Sequence, residues 1–142
     1  MKKLLFTLAA IVVTAWAVAQ DVKGDDLISF KQKIHDFGKI KQGVPVMFDF
    51  EFTNISDKPV VVENANATCG CTTPVWPQQP IAKGKANAIK AGFNAAALGT
   101  FERSIYVKLV GVEIPIEIKI TGEVLNAEAF AKYEASKKSG KG

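Results

Sequence analysis

Cys69-Gly70-Cys71 is the constellation whose residue types and spacing point most directly to chemistry in this 142-residue chain. Three readings are open. In the first, the thiols form a disulfide across a single residue. That needs a turn to bring the two Cα atoms into range, and Gly70 permits one because glycine tolerates positive φ. So short a loop removes little freedom from the unfolded chain, and a ring that small is easily reduced, which suits thiol exchange. In the second, the thiolates bind a soft metal. Residues i and i+2 of an extended segment point to the same side, as Cu(I) or half of a zinc site requires. His35 would then be a third ligand and Met47 a weak thioether. In the third, the cysteines are inert small groups in a loop.

Other chemistry lacks its parts. Lys83-Gly84-Lys85-Ala86 resembles the end of a phosphate-binding loop, but Gln79 stands where its first glycine belongs and Ala86 replaces Ser or Thr. With one histidine, a serine triad would depend on His35, and no nucleophile-elbow sequence is present. Asn54-Ile55-Ser56 and Asn66-Ala67-Thr68 match the glycosylation pattern and are read as chance. Trp76 and Phe37 are candidates for a binding platform, against the alternative that they cap the core at strand ends.

The elements that must position these residues read as strands. Val112, Ile114, Ile116, Ile118 and Ile120 alternate with Glu113, Pro115, Glu117, Lys119 and Thr121. That is one apolar and one wet face. Pro115 donates no hydrogen bond and suggests a strand edge. Val46 to Asn54 alternates likewise, with Phe48, Phe50 and Phe52 inward. Phe101 to Leu109 turns Ile105, Val107 and Leu109 inward and places Arg103 on the same side, its head within reach of solvent. Ala88 to Phe93, Val60 to Glu63, and Leu27 to Phe30 complete the set, with Lys39 and Ile40 extending the last. Turn signals separate the runs, among them Gly43 with Pro45, Asp57-Lys58-Pro59 and Gly111. The pattern predicts an all-β fold: an immunoglobulin-like, two-sheet antiparallel sandwich of about seven strands.

The ends of the chain have different characters. Lys2 and Lys3, the apolar stretch Leu4 to Val13 and the Ala17-Val18-Ala19 site read as a secretory leader over 1–19, cleaved before Gln20. Leu4 to Ala19 is short of the roughly 20 residues a spanning helix needs, so no stable membrane insertion is expected after cleavage. Residues 20–125 form the predicted domain. Residues 126–142 read as a flexible, Lys-rich tail with at most one or two helical turns. The net charge of +4 belongs to the leader and the tail; residues 20–124 carry 12 basic and 12 acidic groups. A neutral body argues against nucleic-acid binding.

His35-Asp36-Phe37-Gly38 precedes an aromatic strand ending at Thr53-Asn54. Then come Cys69-Gly70-Cys71-Thr72, Trp76-Pro77, Pro80-Ile81-Ala82-Lys83-Gly84, Phe93-Asn94, Gly99 and Ile120-Thr121-Gly122-Glu123-Val124. Over about residues 30–124 this resembles the bacterial secreted family called domain of unknown function 1573, which looks like the Hydin-like and major-sperm-protein-like immunoglobulin folds. Ala82-Lys83-Gly84 departs from the Pro-Gly that family often has. The resemblance implies fold and compartment; the family has no assigned activity.

The expected function is a non-enzymatic, exported immunoglobulin-like module of the periplasm or cell envelope that binds a protein partner or supports an assembly. It requires no cofactor. The partner would add a strand at an exposed edge, such as one carrying Pro115, or dock at the loops around Cys69. The alternative is a thiol-redox protein, or a copper or zinc handler, using Cys69 and Cys71.

Overall fold

The computed structural model describes residues 21–140; the expected leader and its cleavage site lie outside them. After a single 3-10 turn at Gly24–Asp26, eight strands follow: β1 (Ile28–Phe30), β2 (Ile34–Lys41), β3 (Val46–Asn54), β4 (Val62–Ala67), β5 (Thr72–Val75), β6 (Ala86–Phe93), β7 (Gly99–Leu109) and β8 (Ile116–Leu125). One sheet runs β1-β3-β6-β5 and the other β2-β8-β7-β4. The two form an immunoglobulin-like sandwich.

The alternation in the sequence explains the core. Phe50, Phe52, Ile89 and Ala91 line the inner face of the first sheet; Ile105, Val107, Leu109, Ile116, Ile118 and Ile120 line that of the second. Phe48 is only half-buried and packs against this core. Removing these apolar faces from water supplies the main stabilisation, at about 25 cal/mol per Å². At one end Phe93 of β6 stacks on Phe101 of β7, ring centroids 4.0 Å apart, joining the two sheets.

Four expectations are corrected. Ile114 is 53% exposed rather than inside. β8 begins only at Ile116, which pairs with Val107, and it lies between β2 and β7. An interior strand needs backbone donors throughout, so Pro115 marks where the strand starts and not a free edge. Secondly, Leu27–Phe30 and Lys39–Ile40 do not form one strand. The chain leaves the first sheet after β1, which is antiparallel to β3, and enters the second as β2, which is parallel to β8. One pair of the otherwise antiparallel sandwich is therefore parallel. Thirdly, Val60 lies outside β4 and makes a lone bridge with Ile81. Fourthly, residues 126–142 contain helix α1 (Ala127–Ser139). Asn126 Oδ1 accepts from Ala129 N at 2.8 Å, and Glu128 reaches Lys132 one turn on. These are the cap and the i,i+4 pair that favour a helix. No residue of α1 is buried.

Every sheet edge is blunted. β1 has three residues and β5 four, with Pro74 inside the latter. The register of β2 shifts between Asp36 and Lys39, where Gly38 has φ +67°. That of β4 shifts between Val62 and Asn64. Short strands, proline and bulges all discourage pairing with another chain.

Candidate functional site

Cys69 and Cys71 lie where the chain crosses from the second sheet to the first, between β4 and β5. Their sulfurs are bonded to one another, with the Cα atoms 5.3 Å apart. The turn that allows this is closed by Thr72 N donating to Cys69 O at 3.3 Å. It is anchored on both sides: Thr68 N donates to Ser104 O at 3.0 Å, and Asn94 N to Cys71 O at 3.1 Å. The bridge is thus held against both sheets through their backbones.

The two sulfurs have different surroundings. Cys71 packs against the core, and Arg103 Nε donates to its Sγ at 3.3 Å. Arg103 Nη1 meanwhile donates to the Glu102 carbonyl at 2.8 Å, which fixes the plane of the guanidinium. The buried Thr72 hydroxyl sits 3.7 Å from Cys69 Sγ and 4.0 Å from Cys71 Sγ. Cys71 also lines two depressions. One, about 120 Å³, lies between Phe93, Leu98 and Arg103; the other, about 260 Å³, lies between Met47, Thr73 and Gly92. A larger hollow of about 530 Å³, on the outside of β2, β8 and β7, has neither cysteine in its wall. Its charged lining includes Lys39 and Glu123, which face each other at 3.9 Å.

The other sequence candidates are not gathered here. His35 is on β2, at the opposite edge of the sandwich from β4 and β5. Its ring stacks on Phe48 with centroids 3.6 Å apart and meets the edge of Phe37 at 4.7 Å. Gln32 Nε2 approaches its Nδ1 at 3.3 Å, as a donor to a neutral imidazole would. Burial holds the imidazole below its ordinary pKa, with the neighbouring Asp36 carboxylate pulling the other way. Among the described residues no group of three His, Cys, Asp or Glu side chains is arranged to hold a metal. Trp76 and Phe37 also sit on opposite edges, each packed against the core. They share no platform. The indole Nε1 of Trp76 is buried and has no hydrogen-bond partner among the described residues.

Two residues, one at this site and one at the far end of the sandwich, do more than the sequence alone indicates. The sequence puts the Arg103 head within reach of solvent, whereas in the fold it turns to Cys71. The signal was available: of 18 basic residues, it is the single arginine, and it sits on an inward strand position. In the sequence Asn54 is a strand end and a chance glycosylation match. It is a buried hub at the opposite end from the sulfurs.

The fold and this disulfide-bearing loop define an immunoglobulin-like sandwich with a two-cysteine turn at one end. The chain belongs to the family described as "Protein of unknown function (DUF1573)", whose model matches residues 28–124. No curated protein is similar enough in sequence to stand as a relative. Among solved structures, a protein of unknown function from Porphyromonas gingivalis superposes with TM-score 0.58 at 13% identity, over 68% of this chain and 46% of that one. The ASH/PapD-like domain 7 of human CEP192 gives TM-score 0.58 at 9% identity, over 71% and 87%. The VesB protease of Vibrio cholerae gives 0.55 at 12%, over 71% and 33%. The chain therefore spans less than half of the first and last of these. At such identities the likeness is one of fold. No helix of the described residues is long and apolar enough to cross a membrane.

Proposed function

We propose that this chain is a non-enzymatic binding module of the bacterial cell envelope that docks a partner protein with the sulfur-bearing end of its sandwich. One observation carries the reading. Three loops at that end are tied into a single surface: Gly43 N donates to Ala95 O and Gln42 Nε2 to Ala96 O, each at 2.9 Å, and Asn94 N holds Cys71 O. That surface exposes Val44, Met47 and Leu98, at 49%, 65% and 55%. Apolar side chains held in water on tied loops are what a partner's apolar anchor would cover. Strand addition is the weaker mode, because all four edges are blunted. Export is supported by the leader pattern in residues 1–19 and by a cysteine pair suited to an oxidising compartment.

A photo-activated cross-linking residue at position 98, in cells making the protein, tests the docking. Position 114, exposed on the β7–β8 turn at the far end, is the control. We expect a discrete adduct with another protein from position 98 only, abolished by Met47→Glu. Equal adducts from both positions, or none from position 98, would overturn the assignment. The intact mass of the extracted protein tests export: it should begin at Gln20, and a chain beginning at Met1 contradicts cleavage.

A further inference from the structure

We propose that Cys69–Cys71 is an electron-accepting disulfide for an external thiol, with Cys69 the attacked sulfur and Cys71 the leaving thiolate, stabilised by Arg103. This goes beyond the docking reading and does not depend on it.

The asymmetry of the pair sets the direction. Exchange needs an incoming thiolate in line with the S–S bond, and negative charge develops on the sulfur that leaves. Cys71 Sγ has a fixed cation against it, Arg103 Nε at 3.3 Å, and is packed at the margin of the core. Among the described residues no basic side chain hydrogen-bonds Cys69; its polar neighbour is the Thr72 hydroxyl, 3.7 Å away. A thiolate formed at Cys71 is therefore stabilised and one formed at Cys69 is not, so attack at Cys69 has the lower barrier.

Arg103 suits the task. Its planar fork binds the Glu102 carbonyl through Nη1 while Nε faces the sulfur, a division of labour a lysine ammonium does not offer. Among the described residues no carboxylate forms an ion pair with it. Its charge is free to meet the thiolate. Arg103 is half-buried on β7, where water screens that charge less than at an open surface.

The step balances without a further reactant. A thiolate RS⁻ bonds to Cys69 Sγ, the Cys69–Cys71 bond breaks, and its electron pair stays on Cys71 Sγ. A second thiolate then attacks the R sulfur of the mixed disulfide, forming R–S–S–R and releasing Cys69 as thiolate. Two thiols, or one dithiol, lose two electrons and two protons; the cysteine pair gains them.

Two experiments on the mature full chain test this. In the first, the oxidised protein is mixed with reduced glutathione, quenched with acid at intervals and mapped by tandem mass spectrometry. Glutathione is expected on Cys69. Glutathione on Cys71, or no mixed disulfide while the bond is being reduced, overturns the proposal. In the second, Cys69→Ser leaves Cys71 as a lone thiol, and its alkylation rate by iodoacetamide is followed against pH. Its apparent pKa should lie about one unit or more below that of the same variant carrying Arg103→Gln, with Arg103→Lys between. Identical profiles, in variants whose circular dichroism matches the parent, overturn the role of Arg103. The first experiment needs no substitution, so it decides the direction of attack even if Arg103→Gln does not fold.

Discussion

Asn54 and Ile81 are joined side chain to backbone across the end of the sandwich opposite the disulfide. Asn54 Nδ2 donates to the Ile81 carbonyl and to the Lys58 carbonyl, each at 2.8 Å. Its Oδ1 accepts from Ser56 N at 2.9 Å and Ser56 Oγ at 2.8 Å. Every hydrogen-bonding position of the carboxamide is used, and the residue is 1% exposed. One side chain thus ties the β3–β4 turn to the segment leading into β6. Asn54→Ala should lower stability by about 2 kcal/mol, because buried partners lose their bonds. Asn54→Asp should cost at least as much, since it sets a carboxylate oxygen against two carbonyls. Urea unfolding checks both, and a midpoint unchanged in either variant would contradict the hub.

Gly122 on β8 sits where a side chain has no room. A Cβ there would lie 2.8 Å from the Phe101 ring and 2.9 Å from the Gly38 carbonyl. The second is backbone of the neighbouring strand, at the bulge of the parallel pair. Gly122→Ala should therefore destabilise by about 1–3 kcal/mol, the range for overpacking a filled site. Thermal unfolding reads the loss; an unchanged Tm would show that β2 can yield.

His35 makes stability depend on pH. Burial among Phe37 and Phe48 lowers its folded-state pKa, so on acidification the unfolded chain takes up the proton first. Its contribution is complete above about pH 6.5, the ordinary imidazole value, and is lost as pH falls from there toward the folded value. Tm should fall between pH 7.5 and pH 5.5, and His35→Phe should flatten that slope. Equal slopes in parent and variant would sink the idea.

The disulfide should contribute little to stability. It closes a loop of sequence separation 2, for which chain entropy offers about 1–2 kcal/mol. Cys69→Ser with Cys71→Ser should unfold within that margin of the parent in urea. A loss of several kcal/mol would mean that the sulfurs act chiefly as core packing.

Helix α1 should be dispensable for folding. It buries no residue, and Lys39 Nζ lies over the Tyr133 ring at 5.3 Å. A cation over a ring at an exposed site is worth about 0.5–1 kcal/mol. Truncation after Leu125 should move Tm by a few degrees at most, and a larger drop would show that the helix docks more firmly than this contact implies.

The sandwich is legible in the sequence, because alternation in Val46–Asn54, Phe101–Leu109 and Ile116–Ile120 is a local property. A strand with one apolar face has to bury it, whichever strand lies opposite. The sequence also offers the two-cysteine turn as one of three readings, since Gly70 and the spacing are local; the bonded pair itself is seen only in the fold. What alternation does not carry is partnership. Ile114 matches the apolar period yet stays in water, because Pro115 delays pairing with β7. Leu27–Phe30 and Lys39–Ile40 read as one strand, but the chain divides them between two sheets, and only the sheet order reveals it. The sulfur of Cys71 and the guanidinium of Arg103 stand 32 residues apart in the chain. Their meeting depends on the β4–β5 crossing lying over β7, a product of all the strand pairings together. No local pattern in the chain announces that contact; it exists only once both sheets are assembled.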